Sequence, residues 1–116
     1  MASSHIEKEL YQDQPDSTGI VIAYSPASGF SAIVHSITIV NDSTTASVTF
    51  NLYISDSTTT FTAVHLIKKE VSLSPAESFD WETAKGISSD SGGIGVQTSL
   101  ADTLVFTIHG AEFEVL

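Results

Sequence analysis

The 116-residue sequence has no cysteine and no arginine, four lysines, three prolines, a single tryptophan and no apolar run long enough to cross a membrane as a helix. Each absence removes a class of protein. Without cysteine there is no disulfide framework, no thiolate metal site and no cysteine nucleophile, so stability must come from packing and backbone pairing. Fourteen carboxylates against four lysines give a formal charge of −10, which argues against binding nucleic acid or anionic lipid. The start, MASSHIEKELYQDQPD, has neither the basic residues nor the apolar core of a signal peptide, so synthesis in the cytoplasm is expected.

What is present is alternation. At this length a single core can bury roughly two-thirds of the surface that the unfolded chain exposes. Residues 1–17 are polar and acidic and end in the turn residues Pro15, Asp16 and Ser17, so they are expected to form a flexible arm, with IEKELY able to make one helical turn. The domain is then residues 18–116. GIVIAY (19–24) reads as a short strand and SPASGF as a loop. In SAIVHSITIVN (31–41), Ile33, His35, Ile37 and Ile39 fall on one face, and Ala32, Val34, Ser36, Thr38 and Val40 on the other. In ASVTFNLYIS (46–55), Val48, Phe50, Leu52 and Ile54 share one face; Thr49, Asn51, Tyr53 and Ser55 share the solvated one.

The run FTAVHLIKKEVSL (61–73) predicts one long bent strand or two short ones, stopped by Pro75. ESFDWE (77–82) places Phe79 and Trp81 opposite Asp80 and Glu82, with Trp81 expected in the core. A short strand at 94–98 and DTLVFTIHG (102–110), with Leu104, Phe106 and Ile108 inward, complete about seven or eight strands. Turn signals recur every 8 to 12 residues or so, as in an all-β antiparallel sandwich of jelly-roll or immunoglobulin-like type.

No catalytic constellation accompanies this scaffold. His5, His35, His65 and His109 are scattered without metal-ligand spacing, and His35 is expected to pack at the core edge. The pairs Asp80/Glu82 and Glu112/Glu114 can share a strand face, but solvated edges carry such pairs routinely. SSDSGG (88–93) offers oxygens suited to calcium without the order of a calcium loop, and GGIGV does not open a helix. The Asn41-Asp42-Ser43 triplet reads as a turn. Tyr24, Tyr53, Phe61 and Trp81 are the aromatic residues from which a sugar-binding face could be built. No cofactor is expected.

Several segments, in order, resemble one family. YSPASGFSAIVHSITIVNDS (24–43), ASVTFNLYISD (46–56), LSPAESFDW (73–81) and LADTLVFTIHGAEFE (100–114) are similar to small β-sandwich virion proteins of tailed bacteriophages, over about nine-tenths of the chain. Ala76 stands where the family's turn often has glycine, and ISSDSGGIGVQTS is longer and more polar than the usual loop and strand. The resemblance implies a non-enzymatic virion component, foremost a capsid decoration (cement) protein on the outer head surface, otherwise a tail, neck or fibre-adaptor part. It implies homo-oligomers, trimers before other numbers, bound to the major capsid protein or another virion protein. A glycan-binding module is the alternative from another class. The residues expected to meet a neighbour are Ile6, Leu10 and Tyr11 of the arm and Asp42, Ser43 and Thr44 of the NDSTT turn.

Overall fold

The computed structural model describes the backbone of residues 5–114 and the side chains of residues 8–114. Eight strands follow one another: β1 His5–Asp13, β2 Val21–Tyr24, β3 Phe30–Asn41, β4 Val48–Ser55, β5 Leu66–Leu73, β6 Ser78–Ile87, β7 Gly93–Thr98 and β8 Leu104–Glu114. They form two four-stranded antiparallel sheets, ordered β1-β8-β3-β6 and β2-β7-β4-β5.

The pairings β1–β8, β2–β7, β3–β6 and β4–β5 are nested, as in one long hairpin whose tip is the β4–β5 connection. Rolling that ribbon brings β3 against β8 and β4 against β7, which completes the two sheets. This is the jelly roll among the two expected sandwiches. Connections β1–β2, β3–β4, β5–β6 and β7–β8 all lie at one end; the other three lie at the opposite end.

The core sits between the sheets. Val48, Phe50 and Leu52 of β4 face Leu104, Phe106 and Ile108 of β8, all at most 1% exposed, as their alternation predicts. Phe50 meets Phe106 edge-on at 6.3 Å and Phe79 at 5.4 Å, so one ring of the second sheet engages two of the first.

Bulges change the phase of β3 and β1, and the register also shifts in the β2–β7 and β4–β5 pairs. Against β8, Val34 pairs with Gly110 and Ser36 with His109, which leaves His35 as an extra residue. The buried set of β3 is therefore Ala32 and Val34 before the bulge and Ile37, Ile39 and Asn41 after it. Ile33 and His35 do not share the buried face of Ile37 and Ile39, contrary to strict alternation. Gly110 makes the close passage possible, because a Cβ there would lie 2.1 Å from the Ile33 carbonyl oxygen.

Residues 5–13 are not a free arm or a helical turn but the edge strand beside β8. In β1 the register shifts between Glu9 and Tyr11, and both Leu10 and Tyr11 pack against the core. The 61–73 run is neither of the two expected forms: a 3-10 turn at Ala63–His65 precedes a single strand. Tyr53, expected on a solvated face, is only 6% exposed because Phe61 of the β4–β5 connection folds over it, with ring centroids 5.7 Å apart. Trp81 is half-buried rather than central, since β6 is an edge strand, and the Lys68 ammonium covers its ring at 5.2 Å.

The loops of one end converge on Asn41, whose side chain is buried at the end of β3. Its amide nitrogen lies 2.9 Å from the Ala46 carbonyl and 3.2 Å from those of Leu73 and Ser74; its oxygen accepts from the Ser43 N–H at 2.9 Å. One side chain thus holds the β3–β4 and β5–β6 loops together. The Ala76 N–H donates to the Ser43 carbonyl, and Ala76 is held at φ 61°, a conformation that costs an L residue more than glycine.

Three stability outcomes follow. Asn41→Ala should lower unfolding stability by about 2–4 kcal/mol in denaturant titration, because it strands buried carbonyls. Asn41→Asp, which turns a carboxylate toward those carbonyls, should be no better tolerated. Ala76→Gly should raise stability by about 0.5–1 kcal/mol, the reverse of the usual effect of glycine.

Candidate functional site

The end organised by Asn41 is the candidate partner surface. Asp42 and Thr44 are exposed there, while Ser43 is half-buried and its hydroxyl oxygen accepts from the N–H groups of Thr45 and Ala46 at 3.2 and 2.9 Å. Asp42 donates its N–H to the Thr103 carbonyl, and Asp102 donates its own to the Pro15 carbonyl, so all four loops are tied by backbone bonds. Asp13, Asp16, Asp42, Glu77 and Asp102 are exposed at this end, with no lysine in its loops. The result is a preorganised acidic tip rather than a set of independent turns. Of the other expected contact residues, Leu10 and Tyr11 serve this protomer's own core. Ile6 pairs with Glu112 in the backbone ladder, and its side chain lies outside the described residues.

A second cluster closes the seam between the sheets where β1 and β2 run side by side. Glu112 of β8 accepts from the Tyr24 hydroxyl at 2.5 Å through one carboxylate oxygen and meets the Lys8 ammonium at 2.7 Å through the other. Its side chain is only 11% exposed. The Lys8 ammonium, then the Tyr24 hydroxyl, hold the Glu112 carboxyl below its ordinary range. Burial, then the Glu112 carboxylate, push the Tyr24 hydroxyl above its own. Sequence reasoning placed Glu112 with Glu114 on a solvated face; β8 alternation puts Glu112 in phase with Ile108, but only the partner sheet supplies Tyr24.

The outer face of the β2-β7-β4-β5 sheet carries a polar ladder. Asn51 and Tyr53 both donate to Gln97 Oε1, at 2.9 and 2.7 Å, and Asn51 Oδ1 accepts the Glu70 N–H at 2.6 Å. Beside it lies a shallow depression of about 210 Å³ lined by residues including Thr49, Glu70 and Ser99. An apolar groove of about 320 Å³ lies on the other sheet, along Ile33, Gly86 and Phe113.

The aromatic candidates form no common platform. Tyr24 is bonded to Glu112, Tyr53 and Phe61 are buried on one another, and Trp81 lies under Lys68. His65 accepts the Thr62 N–H at 3.0 Å, and His109 is exposed on β8. In the 88–93 loop, the Asp90 and Gly92 carbonyls accept from the Ser25 hydroxyl, which ties that loop to the β2–β3 connection. Among the described residues, no group of three or more His, Asp or Glu side chains is placed to hold a metal ion.

Stability should vary with pH through the Glu112 cluster. The lowered carboxyl contributes stability that is complete above its unfolded value, about 4.3, and is lost as pH falls through the folded one. Raised in the fold, the Tyr24 hydroxyl withdraws stability as pH climbs past about 10. Glu112→Gln should therefore flatten the acid limb of a Tm-against-pH curve and Tyr24→Phe the alkaline limb. An unchanged acid limb in Glu112→Gln would refute the assignment.

No protein-family profile matches the chain, and no curated protein matches it. Among solved structures, a chain from the structure of the infectious bursal disease virus Gx strain superposes with a TM-score of 0.53 at 12% identity. The alignment covers 97% of this chain and 32% of that one, so this protein spans about a third of the longer chain's length. At that identity the likeness establishes a shared fold, and it extends over nearly the whole sandwich.

Proposed function

We propose that this protein is a virion structural component. The observation that carries the reading is the complete jelly roll, shared over 97% of its length with a chain from a virus structure. Its sequence resemblance to tailed-phage virion proteins points the same way and favours a homo-oligomeric decoration protein on the outer head surface, bound to the major capsid protein. On this reading the protein is not an enzyme and its work is mechanical. Binding energy gained only on the assembled lattice adds to the stability of the shell, and several copies joined together multiply it.

The acidic tip supports a defined docking end. Its loops are fixed before any partner arrives, so little ordering cost accompanies contact. A partner face carrying lysine and arginine would complement Asp42 and its neighbours.

Cryo-electron microscopy of the parent particle tests the reading. The expected result is density for this chain at regular positions on the head exterior. Density confined to the tail or neck would replace decoration with an adaptor role, and absence from the particle would overturn the virion reading. The double variant Asp42→Lys with Thr44→Lys should fold normally, since exposed positions tolerate such changes within about 0.5 kcal/mol, and should reduce particle occupancy about tenfold or more. Wild-type occupancy would remove the tip as the docking end.

A further inference from the structure

A sandwich of two open sheets has four edge strands, here β1, β6, β2 and β5. Unpaired edges invite pairing with another chain, and charged side chains are a usual defence. Three of the four are so defended. β1 carries Glu7, Lys8, Glu9 and Asp13; β5 carries Lys68, Lys69 and Glu70; β6 carries Asp80, Glu82 and Lys85. β2 carries none, and no Asp, Glu, Lys or Arg occurs anywhere from Ser17 to Asn41.

This uncharged edge, four residues long with a register shift between Ile22 and Tyr24, is also apolar and open. Ile22 is 53% exposed and Ile20, just before the strand, 41%. Among the described residues β2 pairs with β7 alone. The Tyr24–Glu112 bond pins its last residue to the other sheet, which holds the strand in place without covering Ile20 or Ile22.

We infer that the free edge of β2 pairs antiparallel with β2 of a second copy of this chain, joining two four-stranded sheets into one of eight strands. The inference rests on the homo-oligomeric part of the reading above and names its interface. The occupant follows from charge. For a molecule of formal charge −10, contact between two copies is opposed wherever acidic faces meet, and β2 is the edge strand that itself brings no charged side chain to its own image, with Lys8 of the neighbouring β1 already paired to Glu112. An antiparallel pair about a two-fold axis is self-complementary, so the same apolar residues serve both partners. Ile20 and Ile22, two apart, face the same side and would stack against their counterparts.

Such a contact yields dimers or even-numbered assemblies, unlike the trimer that the phage resemblance implies. Sedimentation velocity over a concentration series, with the full chain, tests it. Wild type should self-associate with even stoichiometry, and Ile22→Glu should weaken association about tenfold or more. Lys69→Glu, on the β5 edge, should leave association as it is. Ile22→Cys, in a chain that otherwise lacks cysteine, should give a cross-linked dimer on a non-reducing gel, alone or combined with Ile20→Cys. This smaller replacement decides the matter if Ile22→Glu does not fold.

A strict trimer or monomer, wild-type association in folded Ile22→Glu, or no cross-link in either cysteine variant would overturn the inference. Loss of assembly in Lys69→Glu but not in Ile22→Glu would move the interface to β5 and overturn it equally. Failure of the virion reading is separable. A protein that dimerises through β2 yet is absent from particles refutes only that reading, whereas a particle-bound protein whose assembly ignores Ile22→Glu refutes only the β2 contact.

Discussion

A rolled antiparallel ribbon imposes one demand on everything else: strands from opposite ends of the chain must stay in register while the ribbon bends around a core. The outermost pair, β1 with β8, joins His5 to Phe113, and the pair at the tip joins Val48 to Leu73. Bending is absorbed at register shifts, among them those at His35 in β3 and between Glu9 and Tyr11 in β1. Each bulge increases local twist and shifts which side chains face inward. Gly110 sits beside the first because no side chain could occupy the space next to the Ile33 carbonyl.

Register within the sheets still leaves the ends and the seams to be closed. At one end the buried Asn41 amide substitutes for the ladder where β3 leaves it, by bonding to carbonyls of both adjoining loops. Along one seam Tyr24, Glu112 and Lys8 bridge the sheets; along the other, Lys68 lies over the Trp81 and Phe79 rings. These closures use polar and cationic groups because the positions are half-open, where an apolar side chain would remain partly in water. The outer surface that results has tied loops at one end and charged edges, β2 apart.

Much of the sandwich is legible in the sequence because a strand buried on one face writes its period directly. The inward sets Val48, Phe50, Leu52 and Leu104, Phe106, Ile108 are read correctly from alternation alone. The same logic misplaces Ile33 and His35, since a bulge inserts a residue without any change in composition. It misreads residues 5–13 as well: an edge strand needs few apolar residues, and IEKELY looks no different from a solvated arm. Of the candidate site, the exposed Asp42 and Thr44 turn is visible in NDSTT, whereas its attachment to Ser74, Ala76 and Thr103 is not, because those partners lie more than thirty positions away.

By itself the sequence determined the class of fold, the lack of thiol chemistry, the acidic surface and the uncharged span from Ser17 to Asn41, all properties of composition and local period. Tertiary structure alone decided that the sandwich is a jelly roll, that Asn41 is a clamp, that Glu112 is a bridge and that the uncharged span includes a free edge. Each of those depends on which strands become neighbours, and neighbours in a rolled ribbon are set by long-range pairing, which no local pattern encodes.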